Sequence, residues 1–135
     1  RLTGEISLTC HRAIDVARDS IGMVDVLAEL GFQRILTSGQ KNKAIDGLET
    51  LSQMVEISKN RIEIMAGSGV NSENCLDFFK IGCHAVHLSA RKTVRGLMEF
   101  KKPGISMGGL EGVSEFDVFF ANEEEIGEIM KKVES

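Results

Sequence analysis

No apolar run in this chain of 135 residues approaches the roughly 20 residues that cross a bilayer, which argues against a membrane-spanning helix. Cysteine is scarce as well. Cys10, Cys75 and Cys83 are odd in number and widely spaced, so they form neither a disulfide framework nor a C-x-x-C pair. That usage fits a reducing compartment, and a cytoplasmic location is expected. Basic residues do not dominate: 16 Lys and Arg stand against 20 Asp and Glu, for a net charge of -4. The electrostatic footprint of a nucleic-acid binder is therefore missing, and an anionic ligand would have to be held by local groups. Proline occurs once, at Pro103, and no stretch is of low complexity. The start, Arg1-Leu2-Thr3-Gly4-Glu5, has no apolar core of a signal peptide. It lacks an initiating Met too, so the chain reads as processed, tagged or excerpted.

What is present suits one folded domain. Hydrophobic residues make up 42% and charged residues 27%, a soluble globular balance. The length allows a single core and not two. Short apolar runs at Ile6–Cys10, Arg34–Thr37, Arg61–Ala66 and Ala85–Leu88 have the length and composition of strands. Amphipathic stretches lie between and after them. The spacing predicts helices over Asp19–Leu30, Leu48–Ser58, Asn71–Ile81 and Asn122–Val133. Asp19 or Ser20 can cap the first, and Gly31 can end it. Asn71 or Ser72 can cap the third, and Gly82 can close it. The last begins Asn-Glu-Glu-Glu and ends in Lys131 and Lys132, as the helix dipole favours. Lys101–Gly112 is the most loop-like region, with a short extended piece at Ile105–Met107. The alternation of strand and helix implies parallel strands joined by right-handed crossovers. Two architectures satisfy it: a small open doubly wound sheet, or half of a barrel that normally takes about 250 residues. Half a barrel needs its inner face and edges covered by a missing half or a second copy, so a homo-oligomer or an absent N-terminal half is expected.

Ligands of α/β folds gather at the carboxyl ends of the strands. Polar, titratable or glycine residues follow all the apolar runs: Cys10-His11-Arg12-Ala13-Ile14-Asp15, Thr37-Ser38-Gly39, Ala66-Gly67-Ser68-Gly69-Val70, and His87-Leu88-Ser89-Ala90-Arg91. Alternation assigns Val86 and Leu88 to the helix side and His87 and Ser89 to the other. Ile62 and Ile64 likewise oppose Glu63 and Met65, and Leu8 and Cys10 oppose Thr9 and His11. Gly67-Ser68-Gly69, running into the Asn71 helix, can offer backbone N–H groups to an anion. Ser89 and Arg91 can add a hydroxyl and a bidentate cation. The plainer alternative is a tight turn and nothing more. His11, Asp15 and His87 are candidate acid–base groups. Against that stand an Arg12–Asp15 ion pair that merely orders its loop and a His87 that is merely packed. Thiolates suit Cu(I), but Cys10 and His11 are adjacent and face opposite ways, Cys83 and His84 sit at the far end of the sheet, and Cys75 reads as core. Cys10 is the one metal candidate, and the six Met residues read as packing.

Taken in order, Thr9–Asp15, Gly31-Phe32-Gln33-Arg34-Ile35-Leu36-Thr37-Ser38-Gly39, Ile64-Met65-Ala66-Gly67-Ser68-Gly69-Val70 and His87–Arg91 resemble the CutC copper homeostasis family, from about Leu8 to about Arg91 and more weakly beyond. The resemblance implies an α/β fold of the (β/α)8 TIM-barrel type, with residues 1–135 forming one partial barrel domain that covers about the last four β/α units. It implies a cytoplasmic copper homeostasis protein that binds Cu(I). The family's recurring polar positions fall on His11, Arg12, Asp15, Ser38, Gly67, Gly69, His87, Ser89 and Arg91. Cys10 stands where many members have Phe, Ala66-Gly67-Ser68-Gly69 replaces a Pro-Gly-Gly-Gly type of turn, and Gly4-Glu5-Ile6 fits poorly. Family cysteines proposed to hold copper would lie in an N-terminal half that this chain lacks. The expected partners are a copper ion or a small anionic ligand. The alternative function is a TIM-barrel enzyme or binding protein for a small phosphorylated ligand.

Overall fold

The structure, a computed structural model, describes residues 6–102, 104, 114 and 116–134. Four parallel strands, β1 (Thr9–Cys10), β2 (Arg34–Thr37), β3 (Glu63–Gly67) and β4 (Ala85–His87), pair in sequential order. Register runs Cys10 beside Ile35, Ile35 beside Ile64, and Ala66 beside Val86. Strand order never reverses along this sheet. Crossovers of one hand then place successive helices on the same side, so the doubly wound alternative is not what forms.

The helices between and after the strands are α1 (Gly22–Glu29), α2 (Leu48–Ser58), α3 (Cys75–Lys80) and α4 (Glu123–Glu134). Their buried residues, Val24, Leu27, Leu51, Met54, Cys75, Phe78 and Ile129, meet Ile35, Ile62, Ile64 and Ala66 of the sheet in one core. The expected alternation is present: Val86 and Leu88 pack against that core, whereas His87 and Ser89 are exposed on the opposite face. Glu63 and Met65 share that open face with Arg34 and Leu36, and Arg34 Nε donates to Glu63 Oε2 at 2.7 Å across it.

Several boundaries differ from the sequence expectation. β1 is two residues long instead of Ile6–Cys10, because Leu8 already spends its carbonyl on the Gln33 and Arg34 N–H groups at the edge of β2. The N-cap of α1 is Ile21 and not Asp19 or Ser20; Asp19 accepts from the Gly22 N–H at 2.8 Å from the turn before it, and Gly31 follows the helix end at φ +87°. α3 begins at Cys75 and not at Asn71. The preceding turn is held by side chains: Asn71 Oδ1 accepts from the Glu73 and Asn74 N–H groups, and Asn74 Oδ1 accepts from the Asn71 N–H. The segment after β4, expected to be loose, contains an antiparallel hairpin of β5 (Arg91–Arg95) and β6 (Asp117–Ala121). The expected loop at Lys101–Gly112, with its extended piece at Ile105–Met107, lies for the most part outside the described residues, as do Gly4 and Glu5.

Candidate functional site

Because the strands are parallel, their carboxyl ends share one end of the sheet. β1 leaves that end through a 3-10 helix, Arg12–Val16. His11 starts it: its Nδ1 accepts from the Ala13 N–H at 2.9 Å, which leaves the proton of the neutral ring on Nε2. The turn carries Asp15 toward the loop after β2. There Asp15 Oδ1 accepts from Thr37 Oγ1 at 2.6 Å and from the N–H groups of Ser38 and Gln40 at 3.1 and 3.2 Å. Asp15 Oδ2 accepts from Arg12 Nε at 2.7 Å and lies 3.0 Å from Ser38 Oγ.

The Asp15 side chain is 7% exposed. Burial alone pushes its carboxyl up, but the hydrogen bonds from Thr37, Arg12, Ser38 and Gln40 together outweigh that and bring it below the usual carboxylate range. With its acceptor sites filled, Asp15 fastens the first strand-end loop to the second. Arg12 is held from the same side. Its Nη2 donates to Ser38 Oγ at 2.8 Å and to the Lys41 carbonyl at 3.2 Å, while the side chain stays 42% exposed.

The third strand end is a tight turn in which Ser68 and Gly69 both take positive φ, +89° and +71°. Ser68 Oγ donates to the Asn42 carbonyl at 2.7 Å, and the Ser68 carbonyl accepts from the Ala44 N–H at 2.9 Å. The turn is thereby tied to the loop after β2. The helix expected to follow this turn from Asn71 does not begin there. Instead the Asn71 and Asn74 side chains accept from the N–H groups of Asn71, Glu73 and Asn74, and the Ser72 N–H goes to Glu125 Oε1 of α4 at 2.6 Å.

Between these loops and the fourth strand end lies an open cleft of about 350 Å³. Arg12, Ser68, Gly69, His87, Ser89 and Arg91 supply its polar lining, and Leu36, Val70 and Leu88 its apolar lining. The volume is within the range of about 300–1,000 Å³ common for small-molecule sites. Ser38 stands behind Arg12 and does not line the cleft. Gly67 does not line the cleft either; a Cβ there would stand 2.5 Å from Leu36 Cδ1 and 3.4 Å from His87 Cβ, so its lack of a side chain makes room for two lining residues. His11, Asp15 and Cys10 do not line the cleft. Sequence reasoning passed over Leu36 and Val70, and also Lys43, whose stem packs against Gly69, with its Cγ 3.2 Å from where a Cβ would be. The run Lys41-Asn42-Lys43 just after Ser38-Gly39 was the available signal.

The cysteines do not converge. Cys10 closes β1 and Cys83 precedes β4, so the parallel strands place them at opposite ends of the sheet, and Cys75 is buried in α3. Burial, and then the charge of Asp15, push the Cys10 thiol up, and burial pushes Cys83 up to about 11. Among the described residues no group of three or more His, Cys, Asp or Glu side chains could hold a metal ion. The donors present fit a thiolate copper centre poorly.

A parallel sheet with helices on one face, and with guanidinium, hydroxyl and imidazole groups gathered where its strands end, defines a protein of the α/β class. The chain belongs to the CutC family, whose model matches residues 1–92. It is 40% identical over 113 residues to a CutC family protein of Bacteroides fragilis, covering 83% of this chain and 45% of that one. It is 38% identical over 122 residues to one of Parabacteroides distasonis, covering 90% and 50%. The chain thus spans about half the length of these relatives. Among solved structures, the CutC protein of Streptococcus agalactiae, assigned to copper homeostasis, superposes with a TM-score of 0.58 at 36% identity, covering 62% of this chain and 42% of that one. No described helix is long and apolar enough to cross a membrane.

Proposed function

We propose that the chain serves copper homeostasis as part of a CutC-type (β/α)8 barrel, of which it forms about the last four units, and that its own contribution is a binding cleft for a small phosphorylated ligand. The barrel reading is supported by the sequential parallel sheet, covered by helices on one face among the described residues, in a chain that spans about half the length of its relatives. One observation carries the ligand reading: Arg12 and Arg91 line one cleft with Ser89 and His87, at the strand ends where such folds bind ligands. A guanidinium presents several N–H donors in a plane that matches phosphate oxygens. His87 stands beside them as a proton donor or acceptor.

Capture of Cu(I) in the cytosol is the second reading. It is favoured by Cys10, a thiol at the same end of the sheet as the cleft. One anaerobic experiment separates the two. Inorganic phosphate should raise the melting temperature of the folded protein, by about 1.4 kcal/mol of stability at ten times its Kd, and Arg91→Ala should remove the effect. A parallel titration against a chromophoric Cu(I) chelator would favour the second reading if the protein took up one Cu(I) and Cys10→Ala lost it. Phosphate without effect on the parent protein would sink the first.

A further inference from the structure

We propose that Phe119 of β6 is a positioning residue that presents Arg91 to the ligand, so that the segment beyond the family match takes part in the site. The inference rests on the cleft being an anion site. Arg91 begins β5 and lines the cleft, and its guanidinium carbon lies 5.2 Å from the centroid of the Phe119 ring. The hairpin register dictates that contact. Arg91 pairs with Ala121 and Thr93 with Phe119. Directly paired residues share a face, so Arg91, Thr93, Phe119 and Ala121 lie together, and Arg91 reaches its diagonal neighbour. Phe120, paired with Lys92, falls on the other face.

The charges give this contact its consequence. Arg12 is paired with Asp15, which offsets its charge. Arg91 has no carboxylate partner among the described residues, and Phe119 holds it without neutralising it. Among the described residues Arg91 is therefore a cation of the cleft lining without a carboxylate partner, and the ring limits the rotamers it must give up when an anion arrives. The base of the hairpin is fixed too. The Asn122 N–H donates to the Ala90 carbonyl at 2.6 Å, and Ala90 takes a φ of +38° that turns the chain from β4 into β5.

The test is a calorimetric titration of the 135-residue protein with inorganic phosphate, in the parent and in Phe119→Leu, Phe119→Tyr, Phe120→Leu and Arg91→Ala. Proton shifts of the Arg91 side chain are recorded on the same samples, where the ring current of Phe119 is visible. Phe119→Leu should weaken phosphate binding about two- to fivefold, the strength of an exposed cation–π contact. Phe119→Tyr, which keeps the ring, should match the parent in affinity and in shifts, and Phe120→Leu should leave both unchanged. Parent-like affinity in Phe119→Leu, or equal weakening in Phe119→Leu and Phe120→Leu, would overturn the positioning role while leaving the cleft reading intact. A parent protein that binds no phosphate would overturn the cleft reading and this inference with it.

Discussion

Asp15 illustrates how a residue that reads as acid–base machinery is consumed by its surroundings. It accepts from Arg12, Thr37, Ser38 and Gln40, and these bonds exist only in the folded chain. Its folded pKa is lowered, so the fold favours the charged form. The stability that Asp15 adds is complete above its unfolded pKa of about 3.9 and is lost as pH falls through the lower folded value. Urea midpoints measured from about pH 6 down to about pH 2 should therefore drop on the acid side, and Asp15→Asn should flatten that drop. The same substitution should cost about 2 kcal/mol at neutral pH, the scale of hydrogen bonds to a buried charge. A variant as stable as the parent at neutral pH would show that the loops do not need the carboxylate. The ion pair of Arg12 and Asp15 was legible from their spacing. The three partners at the end of β2 and on the loop after it were not, because they lie 22 to 25 positions away in sequence.

Elements with strong periodicity were readable, and elements made by their partners were not. α2 spans Leu48–Ser58 as its apolar spacing predicts. β5 has the sequence Arg-Lys-Thr-Val-Arg, which carries no strand signal alone and becomes a strand only against Asp117–Ala121. α3 is shortened because Asn71, Asn74 and Glu125 provide better partners for the first N–H groups than a helical turn would. The loop after β2 depends on an approach of backbone to backbone that no motif announces. A methyl group on Gly47 would lie 2.2 Å from the Ser38 carbonyl oxygen, and one on Gly39 would lie 2.5 Å from the Gly47 carbonyl oxygen. Gly47→Ala should thus push the loop away from Asp15 and Arg12. It should cost about 3 kcal/mol in chemical denaturation and weaken phosphate binding as well, although Gly47 does not line the cleft. Unchanged stability would mean that the loop can shift freely.

At the scale of the whole molecule, the helices cover one face of the sheet and nothing described covers the other. Leu97 is 98% exposed and Phe100 76%, and Met98 and Phe120 are exposed as well. Among the described residues, β1 and β4 are sheet edges that each pair on one side. Apolar surface and open edges of this kind drive association. The 135-residue chain should self-associate, with a sedimentation coefficient and a melting temperature that rise with protein concentration. A concentration-independent monomer would contradict this.

Apolar periodicity and glycine placement were enough to establish parallel β/α units and the faces of their strands, because those properties follow from spacing along a single segment. Family membership was readable from the same ordered motifs. Only the tertiary structure decided that Asp15 binds Thr37, Ser38 and Gln40, that Arg91 rests on Phe119, and that α4 supplies Glu125 to the turn before α3. Those outcomes depend on which distant segments pack together, and packing is settled by the whole core at once and not by any local pattern.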